Sequence, residues 1–269
     1  MSVILIPTDF SKSSRNAAEY AIAMFGNEQS YILLNVYEEP RASVTSMVSL
    51  QDILAEASID SLVEEKLRLS EKYPEIQFSV ESIYGNPNNV ISQYSNREDV
   101  DIIVMGSKGT SSLTKLILGS AAVSVLQDAK IPVFAVPESY QFDGLKKVLL
   151  AVDLTHDDTH LINQFVLSLL KENKSKLTIL TVTEDKDKID MERVENAFSM
   201  HNSLDRIDHD FEVIEGEEVS ATIQNYAREN DYSLVVTIPR QVSWFKRILN
   251  PSISKNLAEH VQRPMLALH

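Results

Sequence analysis

The chain has 269 residues, 43% of them apolar, with 39 acidic against 25 basic side chains, a net charge of -14 and no cysteine. That length and apolar share allow one large or two ordinary domains with real cores. The charge argues against a nucleic-acid or anionic-membrane binder, the missing cysteines against a disulfide-stapled secreted module or a cysteine zinc site, and no apolar run approaches the length of a membrane span, so a cytoplasmic protein is expected.

In chain order, residues 3–7 form a short apolar run that predicts a strand. Ser11 or Ser13 caps a following helix whose apolar positions Ala17, Ala18, Ala21, Ile22 and Phe25 recur at helical spacing, and Gly26 stops it. A second strand covers 31–36. The irregular stretch EEPRASVTSMVS then leads into an amphipathic helix over about residues 50–72, ended by Pro74. A strand at 78–83, a short helix near 87–96, a strand at 100–105, a helix from about 119 to 128 and a strand at 133–136 complete the unit. Strands alternating with helices, several of them continuous apolar runs, predict a parallel sheet covered on both faces. Ligands in such sheets lie beyond the carboxyl ends of the strands, where the strand order switches. That gathers Pro7-Thr8-Asp9, Val36-Tyr37 and Met105-Gly106 around one crevice.

The pattern then repeats. Residues 3–9, VILIPTD, align with 147–153, KVLLAVD, and residues 101–136 align with 233–268, the second copy being shorter in the middle by about twelve residues. Two similar domains are expected at 1–138 and 145–269, with a linker at 139–144 whose Gly144 marks the seam.

Only 7 glycines occur in the chain, and three of them, Gly106, Gly109 and Gly119, fall in one short window. The segment GSKGTSSLTKLILGS is long for a strand-to-helix connection. Its glycines let backbone N–H groups approach an anion, the helix opened by Gly119 and Ser120 favours negative charge, and Ser107 and Ser120 add hydroxyls. A plain βα loop with a glycine cap and a serine N-cap remains the alternative.

Gly106, two residues, Gly109, nine residues, Gly119, Ser120 resembles the nucleotide-binding motif of the universal stress protein family. Pro7-Thr8-Asp9 ending the first strand, LLNVYEEP, Gly85-Asn86-Pro87 and DIIVMGSKG look like that family too, over the whole first copy and more faintly over the second. The resemblance implies a tandem member with two Rossmann-like domains, each an open five-stranded parallel sheet in the order 3-2-1-4-5. It implies ATP, or ADP or AMP, as ligand. Pro7, Thr8 and Asp9 would face adenine and ribose, Val36 would offer its backbone to the base, Met105 and Gly106 would line the ribose, and Gly109, Gly119, Ser120 and Ala121 would hold the phosphates. Lys108 and Lys115 are added on charge. For Asp9 the alternative role is capping the first helix. In so acidic a protein Mg2+ or Mn2+ between the phosphates is expected.

In the second copy Gly106 becomes Ile238, Gly109 becomes Gln241 and Gly119 becomes Pro251, while Asp153 stands for Asp9 and Ser252 for Ser120. ATP binding there is not expected. None of GxxxxGK[ST], GxGxxG, HExxH or GxSxG occurs, so binding is expected over catalysis, with slow ATP hydrolysis or autophosphorylation as the alternative and a non-nucleotide interaction module as another. His156 and His160, beside Asp157 and Asp158 near a helix start, have metal-ligand spacing, with exposed first-turn residues as the plain reading; no metal site is assigned. His201 and His209 flank a helix-strand connection. Trp244-Phe245 either anchors a partner or closes the vacated crevice. The acidic clusters Glu38-Glu39, Glu64-Glu65 and those from Glu215 to Glu218 read as solvated faces. The last strands, 132–136 and 264–268, would lie at sheet edges, and in the family such strands make dimer contacts, which implies an intramolecular pseudo-dimer and allows a homodimer. The protein partner is not identified.

Overall fold

The computed structural model describes the chain except residues 40–49, 109–117, 158, 163, 185–189, 205–206 and 239–261. The chain forms two compact units, Met1–Phe142 and Asp143–His269.

The first unit runs β1 (Val3–Pro7), α1 (Lys12–Phe25), β2 (Ser30–Tyr37), α2 (Leu50–Lys72), β3 (Phe78–Tyr84), α3 (Pro87–Tyr94), β4 (Ile102–Gly106), α4 (Ser120–Asp128), β5 (Val133–Val136). Its strands are all parallel in the order β3-β2-β1-β4-β5. The continuous apolar runs follow from that topology. Ile4, Leu5, Ile6, Ile103 and Val104 sit on central strands and are wholly buried, so both faces of β1 and β4 must be apolar. The order reverses direction at β1/β4, which opens the crevice there.

Local chemistry sets the helix ends. Ser11, rather than Ser13, caps α1, its Oγ accepting from the Ser14 N–H at 3.2 Å. Gly26 ends it at φ 76°, a left-handed conformation that favours glycine, and donates its N–H to the Ile22 carbonyl. Alanines 17, 18 and 21 keep the buried face of α1 thin, and the helix lies directly against β4 and β1. Charge ties α1 to α2. Glu65 of α2 is 3% exposed and is held by Arg15 at 3.1 Å and Arg68 at 2.7 Å, while Arg68 and Lys72 both reach Glu19 of α1, at 2.9 and 2.7 Å. A carboxylate so far from water is tolerated only with such pairing.

The second unit runs β6 (Lys147–Ala151), a 3-10 turn at Thr159–Leu161, α5 (Gln164–Glu172), β7 (Lys176–Thr183), α6 (Met191–Ser203), β8 (His209–Glu215), α7 (Val219–Glu229), β9 (Leu234–Thr237), β10 (Met265–Ala267). Its parallel order is β10-β9-β6-β7-β8. Counted from the other edge this is the order of the first unit, with β6 in the place of β1, so both copies form the Rossmann-like sheet with 3-2-1-4-5 connectivity. Among the described residues no helix is long and apolar enough to cross a membrane.

Candidate functional site

A crevice of about 350 Å³ opens at the carboxyl ends of β1, β2 and β4 in the first unit, and the loop after β3 closes one side of it. The volume falls in the range of small-molecule sites, about 300–1,000 Å³. Pro7, Thr8 and Asp9 enter it from the end of β1, Val36 from β2, Met105, Gly106 and Lys108 from the end of β4, and Gly119, Ser120 and Ala121 from the start of α4. Those are the residues that the sequence marks, except Gly109. Gly109, Thr110 and Lys115 lie outside the described residues.

The turn after β1 is built from its own side chains. Asp9 Oδ1 accepts from the Ser11 N–H at 3.1 Å, and Thr8 Oγ1 accepts from the Phe10 N–H at 3.0 Å and donates to Ser14 Oγ at 3.2 Å. Phe10 is thereby held at φ 61°, unusual for a bulky residue. Asp9 shapes the entry to α1 while Ser11 caps it. Behind the turn, buried Asn35 of β2 donates to the Thr8 carbonyl at 2.7 Å and accepts from Ser58 Oγ at 2.7 Å. Ser58 has a single hydroxyl proton, so Ser82, 2.7 Å away, donates to it. The chain Ser82–Ser58–Asn35–Thr8 fixes the crevice wall across four elements.

At the other end, Gly119 is the N-cap of α4, in extended backbone at φ -66°, ψ 152°, with no side-chain cap. Its own N–H goes to the Ser107 carbonyl at 2.8 Å, and the first helical bond is Val123 N–H to the Gly119 carbonyl. The N–H groups of Ser120, Ala121 and Ala122 therefore have no preceding helical turn to satisfy them, and all three residues border the crevice. With Lys108 they make its anion-favouring end.

Three readings of the sequence change here. Ser107 is not a hydroxyl donor to a ligand: it is 2% exposed, does not line the crevice, and its backbone N–H is bonded to Val136. Gly106 has a structural reason to be glycine, because a Cβ there would lie 2.6 Å from Ser13 Oγ and 2.8 Å from the Ser13 carbonyl carbon. The crevice also takes in residues that the motif did not mark. Leu34 and Ile91 add apolar wall, and Glu38 and Asn86 bring a carboxylate and an amide to the β2/β3 side, with Asn86 Nδ2 donating to Glu38 at 3.3 Å. Gly85-Asn86-Pro87 was the available signal, since Asn86 is the N-cap of α3 and Pro87 its first residue.

The second unit keeps the first turn and lacks this crevice's glycine floor. Asp153 Oδ1 accepts from the Thr155 N–H at 3.0 Å, Leu154 sits at φ 57°, and Thr181 Oγ1 donates to the Val152 carbonyl at 3.0 Å as Asn35 does to Thr8. Ile238, 4% exposed, replaces Gly106. The first helix of this unit, α5, begins at Gln164, well past His156, the counterpart of Lys12. The histidines expected near a helix start therefore precede it, around the 3-10 turn. His156 Nδ1 pairs with Thr155 Oγ1 at 2.8 Å, and His201 and His209 bond to each other at 2.9 Å. Among the described residues no three His, Asp or Glu side chains are grouped to hold a metal ion. Asp158, Gln241, Trp244, Phe245, Pro251, Ser252 and His260 lie outside the described residues.

The profile of the universal stress protein family matches residues 1–137 and again 144–269. Universal stress protein MJ0531 of Methanocaldococcus jannaschii is 30% identical over 138 residues, 49% of this chain and 80% of its own length. MJ0577 of the same organism is 31% identical over 152 residues, 49% of this chain and 93% of its own length. The crystal structure of a universal stress protein from Archaeoglobus fulgidus superposes with a TM-score of 0.74 at 22% identity, covering 98% of this chain and 95% of that one, and so shares its fold.

Proposed function

The chain belongs to the universal stress protein family in both of its copies, and we propose that its first copy, residues 1–138, binds an adenine nucleotide, ATP or else ADP or AMP, as a regulatory module of the stress response, while the second, residues 145–269 beyond a linker at 139–144, is a scaffold without that ligand. One observation carries the reading. The start of α4, whose N-cap Gly119 brings no side chain to cap it, and Lys108 border the same crevice as an apolar wall with carboxylate and amide groups. The three N–H groups of that first turn, which have no intrahelical partner, and an ammonium suit phosphates. Leu34, Val36, Ile91 and Met105 suit a flat base, with Asp9, Glu38 and Asn86 available to ribose hydroxyls or the base edge.

The phosphate end presents N–H and hydroxyl donors and, on its described residues, no carboxylate. Mg2+ or Mn2+ would therefore be held by the phosphates themselves with Ser120 as the protein oxygen available, and would offset phosphate charge in a protein of net charge -14. Lys108 is the one cationic side chain bordering the described crevice. Among the described residues that set suits holding an anion rather than phosphoryl transfer, which calls for paired cations and a positioned nucleophile, so binding is proposed over hydrolysis. The output is then a change in what the loaded protein binds.

Calorimetric titration with ATP in the presence of Mg2+ tests this: one nucleotide per chain is expected. No saturable binding overturns the ligand assignment, and two per chain overturns the silence of the second copy.

A further inference from the structure

The two copies share a surface that has nothing to do with the crevice. His209 pairs with Leu177 as Phe78 pairs with Tyr31, so β8 corresponds to β3, and the preceding helices end at corresponding residues, Ser203 and Lys72. That register carries Leu69 onto Met200, both buried. It also carries Val63 onto Val194 and Leu67 onto Phe198, and these are exposed: 44% and 49% for the valines, 58% and 66% for Leu67 and Phe198. Apolar side chains thus face solvent at the same two helix positions in both copies, although the helices share little else there. Met191, Val194 and Phe198 follow the i, i+3, i+7 spacing of a helix-packing seam, and Ile53 and Ile59 widen the one on α2.

The charges on these faces decide what can cover them. On α2 from Leu50 to Glu71 the exposed charged side chains are Asp52, Glu56, Asp60, Glu64 and Glu71, all acidic; on α6 they are Glu192 and Glu195. Of the cations on these helices, Arg68 and Lys72 are committed to Glu19 and Arg68 also to Glu65, while Lys66 and Arg193 are half-buried and outnumbered by the exposed acids. A second copy of this chain meeting α2 or α6 face to face would set carboxylates against carboxylates. We propose that the outer faces of α2 and α6 are equivalent docking sites for a basic amphipathic helix, whose apolar stripe covers Leu67 or Phe198 and whose Lys and Arg side chains meet the flanking acids.

The test titrates the full chain with a fluorescent helical peptide of leucine heptads and lysine, alongside a scrambled peptide of the same composition. Two peptides are expected per chain, with L67S and F198S each removing one and L67S/F198S weakening binding at least tenfold. Both positions are solvent-facing, and an unchanged circular dichroism melt verifies that the variants fold. Equal affinity for the scrambled peptide, or binding indifferent to the double substitution, overturns the proposal. So does self-association of the free chain in sedimentation that L67S/F198S abolishes, since the occupant is then a second copy.

Discussion

Gly106 and Ser13 touch so closely that the glycine has no room for a methyl group. The nearest atoms to an added Cβ include Ser13 backbone carbon and oxygen, at 2.8 and 3.0 Å, besides the hydroxyl at 2.6 Å. Gly106→Ala is therefore expected to destabilise the first unit by about 1–3 kcal/mol, the usual range for overpacking. Chemical denaturation checks it. Removing the hydroxyl with Ser13→Ala in the G106A background should recover little, because the backbone contacts remain; full recovery would show that the hydroxyl alone was in the way.

At the start of α4 the backbone permits an unusually clean separation of donors. Gly119 already has the extended conformation required before proline, and Ser120 is the first helical residue, where proline is accepted. Ser120→Pro should leave thermal stability close to that of the parent while removing both an N–H and a hydroxyl; Ser120→Ala removes only the hydroxyl. ATP affinity is expected to fall in the order parent, S120A, S120P. Equal affinities for the two variants would remove the helix N–H from the binding account.

Lys108 supplies the ammonium at that end. Replacing it with glutamine should weaken ATP about tenfold, the lower end of what a charge-assisted hydrogen bond of roughly 1.5–3 kcal/mol provides, and should leave adenosine affinity unchanged. Chelation with EDTA should weaken ATP in parent and K108Q alike. ATP affinity that ignores EDTA would argue against a divalent ion between the phosphates.

The Glu19 network predicts an acid response. Burial pushes its carboxyl upward, but hydrogen bonds from Lys72 and Arg68 outweigh that and hold it below the ordinary 4.5. A lowered carboxylate adds stability that is present above its unfolded pKa and is lost as pH falls through the folded one. Urea denaturation should thus find the parent more stable than Glu19→Gln at pH 7, with the gap closing as the pH drops below 4.5. A gap that persists in strong acid would assign Glu19 a role in packing rather than charge.

How much of this was legible in the sequence depended on whether a feature was local. The helix at Leu50–Lys72 is local in period and stop signal, and its boundaries could be read directly. The crevice was legible through topology, since a parallel sheet fixes where strand ends converge. The reason for Gly106 was not, because Ser13 lies far off in sequence and spacing cannot reveal which backbone presses on a glycine. Ser107 misled for the same reason: a hydroxyl beside a glycine motif looks available until the fold buries it.

The turn at Asp9 and Phe10 exists a second time at Asp153 and Leu154, with the same carboxylate-to-amide bond and the same left-handed residue. The chain thereby carries an internal control for this turn. One copy has glycines where the other has none, yet both have this bend, so it serves chain reversal after the first strand rather than the glycine loop. Asp153→Asn then measures what folding asks of such an aspartate, and a loss of ATP affinity in Asp9→Asn beyond the matching loss of stability would be the share owed to a nucleotide.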